Sequence, residues 1–213
     1  MKKQQRLLII GGEDVHMRIP LIRELEKKGF EVYVAGSGGE EIFRSSNIKF
    51  HRYELNRGMS LFDDIKTVKE LRKIFKHVNP NVVQSFDTKP SILVPLASLG
   101  RPHKVVRTIT GMGYVFSSGS FFAKFLRFVY KVCQIVLDLK VDLTVFQNED
   151  DFSYFNDNNL LENHKGCLIR GSGLDLQKNE SSIELNESKE AILEGVDYDC
   201  VFLMVTRLVR HKG

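Results

Sequence analysis

Short β-branched or aliphatic runs alternate with segments of helical periodicity, and this constrains the chain more than any other feature in it. Arg6–Ile10, Glu31–Ala35, Phe50–Leu55, Asn81–Phe86, Val105–Thr110, Leu143–Gln147 and Cys167–Arg170 read as strands. Between them, helices are predicted over Met17–Lys28, from Glu40, over Ile65–Val78, from Pro90, and over Ser120–Lys140. Consecutive parallel strands need crossovers of this length, and the crossovers are right-handed. The expected fold is therefore α/β, a Rossmann-like doubly wound parallel sheet.

Local signals support the individual helices. Pro20 is tolerated in a first turn, Leu21, Ile22 and Leu25 form a buried side, and Gly29 is a C-terminal stop. Ile65, Val68, Leu71, Ile74, Phe75 and Val78 recur at the spacing of a helix that packs on a sheet. Pro90 opens the next helix, whose apolar face runs from Ile92 to Leu99, and Gly100 and Pro102 close it. Pro95, inside that helix, is expected to kink or shorten it.

At 213 residues the chain can bury a full core, and its net charge of +4 is far from a nucleic-acid-binding signature. Cys133, Cys167 and Cys200 have no CxxC spacing, which points to a reducing compartment and away from a disulfide framework or a metal site. The apolar run in MKKQQRLLII is too short for a signal peptide and reads as a first strand. No stretch is long and uncharged enough to span a bilayer. A cytoplasmic protein, peripheral to a membrane at most, is expected.

Composition changes near Leu176. Residues 1–176 read as the Rossmann-like domain, and 177–213 as a polar, acidic linker followed by the first strand of a second domain, Val201–Thr206. A core strand with no covering helix after it is not a domain end, so a chain cut just inside a second domain is expected.

Candidate chemistry lies where ligands sit in open parallel sheets, beyond the carboxyl ends of the strands. Gly11 and Gly12 follow the first strand without the GxGxxG spacing of a dinucleotide fingerprint, and Glu13 and Asp14 would repel a pyrophosphate that faced them. Backbone N–H groups at the next helix start still suit an anion, beside His16 and Arg18. Lys89 precedes another helix, and Thr110, Gly111 and Gly113 form a glycine-bearing loop where backbone can approach a ligand. Arg207 and Lys212 follow the last strand as a diphosphate clamp. The Ser120–Lys140 helix mixes Phe121, Phe122, Phe125 and Phe128 with Lys124, Arg127 and Lys131, and reads either as core or as an interfacial membrane face. Asp63-Asp64 and Glu149-Asp150-Asp151 read as solvated or helix-start charge.

The stretches HMRIPLIRELEKKGFEV, DTKPSILVPLA, TITGMGYVF, VFQNEDDFSYF, IRGSGLDL and VFLMVTRLVRHKG together resemble the amino-terminal half of a retaining family 4 glycosyltransferase with the two-domain GT-B fold. The branch it resembles builds bacterial capsule, O-antigen or glycoprotein glycans on undecaprenyl diphosphate, including enzymes that add N-acetylgalactosamine. The resemblance implies that the first domain binds a lipid-diphosphate-linked acceptor and the second a nucleotide sugar, most naturally UDP-linked. Carried over by position, Gly11, Gly12, Arg207 and Lys212 face the donor diphosphate, and His16, Arg18, Lys89, Thr110, Gly111 and Gly113 line the acceptor side. Many members have a histidine where this chain has Thr110, so no histidine role carries over there, and no catalytic residue is assigned. The paired-glutamate motif of the second domain does not occur before Gly213, so these residues alone are expected not to turn over. With lysine and arginine neutralising the diphosphate, no metal or cofactor is expected beyond the nucleotide sugar as co-substrate. The alternatives are an epimerase-like enzyme that hydrolyses UDP-sugars and a non-catalytic membrane-binding module.

Overall fold

In the computed structural model of the chain, the residues described are 4–171 except 57, 59, 113–115, 117–120, 163 and 164, and except the side chain of 122. Seven strands, β1 (Arg6–Ile10), β2 (Glu31–Gly36), β3 (Lys49–Arg52), β4 (Val82–Phe86), β5 (Lys104–Ile109), β6 (Leu143–Phe146) and β7 (Gly166–Leu168), form one sheet in the order β3-β2-β1-β4-β5-β6-β7. Every neighbouring pair is parallel. Among the described residues, the connecting α-helices are α1 (Ile19–Lys27), α2 (Glu40–Ser45), α3 (Leu61–Val78), α4 (Pro90–Ala97), α5 (Phe121–Asp138) and α6 (Glu149–Asp157). This is the expected Rossmann-like topology, with the strand order reversing between β1 and β4.

The near-continuous apolar run of β1 is what a strand covered on both faces requires. Leu8 and Ile10 pack with Leu71, Phe75, Leu93 and Val94 of α3 and α4. Leu7 and Ile9 pack on the opposite face with Ile22 of α1 and Phe43 of α2. A third cluster gathers Ile109, Tyr130, Phe146, Phe155 and Leu160 around β5, β6, α5 and α6. Each fully buried aliphatic side chain contributes about 1.5–3 kcal/mol relative to exposure, so these layers fix the sheet whose edge carries the site.

Several boundaries differ from expectation for local reasons. A 3-10 turn at Glu13–Arg18 precedes α1, so that helix starts at Ile19 rather than near Met17. β3 ends at Arg52, because Tyr53 turns inward and its hydroxyl donates to the Gly11 carbonyl oxygen at 2.8 Å. α3 starts at Leu61, where Ser60 Oγ accepts from the Asp63 N–H; Ile65, expected on the buried face, is exposed. α4 keeps Pro95 inside but ends at Ala97, before Leu99, which is half exposed. β7 runs from Gly166 to Leu168. α6 is a helix that strand-and-helix periodicity did not predict: Asn148 Oδ1 accepts from the Asp151 N–H at 2.7 Å while Asn148 Nδ2 donates to the Asp151 carboxylate at 2.8 Å. The Glu149-Asp150-Asp151 cluster is thus helix-start charge.

The chain divides into two compact units, Met1–Ser172 and Gly173–Gly213. The second lies outside the described residues, as do the expected linker, the Val201–Thr206 strand, Arg207, Lys212 and Gly113.

Candidate functional site

Because all the strands are parallel, the residues that follow them gather along one edge. Gly11 follows β1, Ser37 follows β2, Tyr53 follows β3, Asp87 follows β4 and Thr110 follows β5. The reversal of strand order lies between Gly11 and Asp87, the position of a ligand crevice in such sheets.

Asp87 is the centre of this edge. It takes φ of +74°, a left-handed conformation uncommon for a residue other than glycine and found preferentially where structure and function over-determine the backbone. Its carboxylate accepts from the Gly12 N–H at 3.3 Å and from Thr110 Oγ1 at 3.2 Å, so it bridges the loops after β1 and β5 across the switch point. Next to it, Thr88 Oγ1 donates to the Gly111 carbonyl oxygen at 2.9 Å. The Arg18 guanidinium lies 4.6 Å from the centre of the Phe86 ring. Burial pulls the Arg18 pKa below its ordinary value, while Asp87 and Asp14 oppose that shift. The sequence reading did not single out Asp87. Its legible signal was a carboxylate closing a buried strand directly before Thr-Lys-Pro.

The other expected residues fall around this centre. Gly11 and Gly12 are buried, and the Gly12 N–H has an anionic partner from within the chain, Asp87. The amino end of α1 is separated from Gly12 by the 3-10 turn. His16 is partly buried, with Nδ1 at 3.2 Å from the Glu13 carbonyl oxygen. Lys89 forms an ion pair with Asp64 at 2.6 Å and donates to the Asn56 and Gly58 carbonyl oxygens, each at 2.6 Å. It fastens the loop before α3 to the start of α4. Gly111 takes φ of +148°, a conformation glycine supplies without strain. The Asp63-Asp64 pair is not merely solvated: Asp64 holds Lys89, and Asp63 accepts from Asn56 Nδ2 at 2.7 Å.

Two cavities bear on the placement of the site. One of about 370 Å³ lies along the same edge, lined by residues that include Glu13, Ser37, Tyr53, Asp63 and Lys66. A smaller one of about 170 Å³ lies at the opposite edge, against Arg6, Asn81 and His103, away from the strand ends where ligands bind. No group of three or more His, Cys, Asp or Glu side chains among the described residues is arranged to hold a metal ion.

α5 presents two contrasting sides. Its inner side buries Ala123, Tyr130, Gln134, Leu137 and Asp138. There Arg107, fully buried on β5, donates to Asp138 Oδ1 at 2.7 Å, to Thr144 Oγ1 at 2.8 Å and to Gln134 Oε1. Its outer side exposes Phe121 (88%), Phe125 (57%), Phe128 (66%), Val132 and Ile135, with Lys124 also exposed. The helix is therefore core on one side only. No helix among the described residues is long and apolar enough to cross a membrane.

A family model described as "Glycosyl transferase 4-like" matches residues 7–148. The chain is 24% identical over 203 residues to the capsular polysaccharide biosynthesis glycosyltransferase CapM of Staphylococcus aureus, covering 93% of this chain and 53% of that protein. The chain thus spans about half the length of the curated relative it matches. Among solved structures it is similar to the UDP co-structure of S. aureus MnaA, with a TM-score of 0.63 at 16% identity, covering 89% of this chain and 51% of that one. It is also similar to UDP-GlcNAc 2-epimerase from Neisseria meningitidis bound to UDP-GlcNAc, with a TM-score of 0.60 at 15% identity, covering 89% and 53%. At such identities these structures show the fold, a Rossmann-like α/β unit of the GT-B type.

Proposed function

The chain belongs to the glycosyl transferase 4-like family, and on that premise we propose that it is the acceptor-binding part of a retaining glycosyltransferase that moves a sugar from a nucleotide sugar, UDP-linked, to a lipid-diphosphate-linked saccharide during bacterial surface or protein glycan assembly. The observation that carries this reading is the family match across β1–β6, which spans the whole edge around Asp87. The likeness to CapM supports the assembly of a capsular or related polysaccharide.

In such a transfer, an acceptor hydroxyl oxygen bonds to the anomeric carbon of the donor as the bond from that carbon to the diphosphate oxygen breaks, and the hydroxyl proton passes to the released diphosphate or to water. The leaving diphosphate gains negative charge, and fixed cations and N–H groups aimed at it lower the barrier. Arg207 and Lys212 are our candidates for that role, with Gly11 and Gly12 beside the diphosphate. His16, Arg18, Lys89, Thr110, Gly111 and Gly113 are our candidates for the acceptor side. We expect no metal requirement, so activity of a catalytically complete protein should survive EDTA.

A lipid-linked acceptor is presented at a bilayer surface, and the outer side of α5 supports a peripheral position on a membrane, which we propose to be the cytoplasmic face of the inner membrane. Its exposed phenylalanines and aliphatic residues are flanked by Lys124, a pattern suited to anionic headgroups. Leu61 and Phe62 at the start of α3 add exposed apolar surface, with α4 packed between α3 and α5.

The test is a binding titration on the 213-residue chain with a short-chain lipid-diphosphate sugar and a panel of nucleotide sugars. Saturable acceptor binding that weakens in His16→Ala and Lys89→Ala, with little nucleotide-sugar affinity, is expected. Tight nucleotide-sugar binding with no acceptor binding would refute the assignment and favour an epimerase-like enzyme.

A further inference from the structure

The cavity of about 370 Å³ on the β1–β3 side of the edge has no assigned role, and it results from the early end of β3. Past Tyr53, whose N–H still donates to the Gly36 carbonyl oxygen of β2 at 3.1 Å, the chain arches toward α3: the Glu54 N–H donates to Glu70 Oε2 at 2.9 Å, and its carbonyl oxygen accepts from Thr67 Oγ1 at 2.7 Å. The opposite wall is the turn after β1 against the glycine loop after β2. A Cβ on Gly36 would stand 2.4 Å from Val15 Cγ1, and one on Gly38 would stand 3.2 Å from the Glu13 Cα, so these glycines allow the two loops to close up. The volume lies within the range of small-molecule sites, about 300–1,000 Å³.

The lining chemistry selects the ligand class. Glu13, Glu54 and Asp63 supply three carboxylates against two cations, Arg52 and Lys66. Both cations are already matched, Lys66 by Glu54 and Arg52 by Glu40 at 3.9 Å. An entering anion therefore meets a slightly negative surface with its cations engaged. The Asn56 amide and the Ser60 hydroxyl hold the Asp63 carboxyl below its usual range, and Lys66 does the same for Glu54. Both are ionised at neutral pH and only accept hydrogen bonds. Ser37 Oγ, from a residue on the cavity wall, is buried without a hydrogen-bond partner among the described residues, which is uncommon in native structures. Ionised acceptors, an unmatched hydroxyl and little net charge suit a neutral ligand rich in hydroxyl donors.

We propose that this cavity binds an uncharged saccharide unit through its hydroxyls, and that the unit belongs to the acceptor rather than to a diphosphate. Attribution to the acceptor rests on the transferase reading above; saccharide binding itself does not. Lys89, which holds the Asn56 end of the cavity through the Asn56 carbonyl oxygen and Asp64, is then a positioning residue for this subsite.

The test is isothermal titration of the 213-residue chain with methyl glycosides of glucose, galactose and their 2-acetamido counterparts, alongside inorganic pyrophosphate and putrescine. At least one glycoside is expected to saturate, undisturbed by pyrophosphate or putrescine. Asp63→Asn and Ser37→Ala are each expected to weaken it, Asp63→Asn by about tenfold, the loss of one charge-assisted hydrogen bond. Ser37→Ala leaves the α3 cap untouched, so it separates lost binding from lost folding. The proposal is overturned if no glycoside saturates, if neither variant weakens binding, or if pyrophosphate or putrescine competes. Glycoside binding without acceptor-dependent transfer in a catalytically complete protein would remove the transferase reading and leave the ligand class of the cavity standing. Transfer without glycoside binding would remove the cavity assignment alone.

Discussion

Replacing Arg107 with methionine tests how α5 is held against the sheet. The guanidinium is fully buried and matched by Asp138, Thr144 and Gln134, while the Asp138 side chain is itself only 7% exposed. Arg107→Met keeps much of the side-chain volume and removes the charge. That leaves the Asp138 carboxylate in the interior with the Glu162 N–H at 2.9 Å and the Lys165 ammonium at 3.9 Å. Breaking one side of a buried pair costs about 3–5 kcal/mol, and the remaining lysine places this case near the lower end, about 3 kcal/mol. With a urea m-value of about 2 kcal/mol/M, the unfolding midpoint should fall by about 1.5 M. Arg107→Met combined with Asp138→Leu removes both charges. It should recover part of the loss but not all, because the Glu162 N–H then loses its acceptor, at about 1–3 kcal/mol. Urea unfolding followed by circular dichroism reads both variants. A single variant within about 1 kcal/mol of the native chain, or a double variant no more stable than the single, would refute the reasoning.

Three further outcomes follow from the same geometry. At Asp87, glycine should be tolerated better than alanine by about 1 kcal/mol in thermal unfolding: both lose the bonds to Gly12 and Thr110, but only glycine escapes the strain of φ +74°; equal stabilities would remove the strain argument. Burial, with Lys140 and Arg101 nearby, lowers the His103 pKa to about 4, so the folded chain resists a proton that the unfolded chain accepts near 6.5. Stability present above pH 6.5 should therefore drain away as pH falls toward 4, and His103→Gln should flatten that slope in urea titrations at stepped pH. Phe121→Asp with Phe125→Asp should abolish co-sedimentation with vesicles containing anionic lipid while leaving the melting temperature close to native, since both side chains lie on the exposed side of α5; unchanged sedimentation would argue against membrane docking by this face.

The fold was legible because its signals are local and repeated. β1 declares itself as a strand buried on both faces by being apolar at consecutive positions, and the helices declare themselves by spacing and by proline and glycine at their ends. Boundaries failed where a single side chain overrides the pattern, as when Tyr53 leaves β3 to reach Gly11, or where a cap outweighs periodicity, as at Ser60 and Asn148. Arg107 was hidden inside a β-branched run, since nothing local shows that Gln134, Asp138 and Thr144 will surround it. Asp87 was hidden for a related reason: its partners lie 75 and 23 residues away.

The charges along the edge argue for a division of labour. Among the described residues, cations near the strand ends face carboxylates of their own chain: Arg18 faces Asp87 and Asp14, Lys89 pairs with Asp64, Lys66 with Glu54 and Arg52 with Glu40. The Gly12 N–H likewise meets Asp87 before it meets a ligand. An anion binding here must compete with internal carboxylates for these cations and for the Gly12 N–H, and parting the largely buried Lys89–Asp64 pair would leave both charges unmatched. A neutral saccharide does neither, because it adds hydroxyl donors to acceptors already in place. On our proposal, the diphosphate charge is met by Arg207 and Lys212 instead. On the same proposal, the edge around Asp87 orients an acceptor hydroxyl.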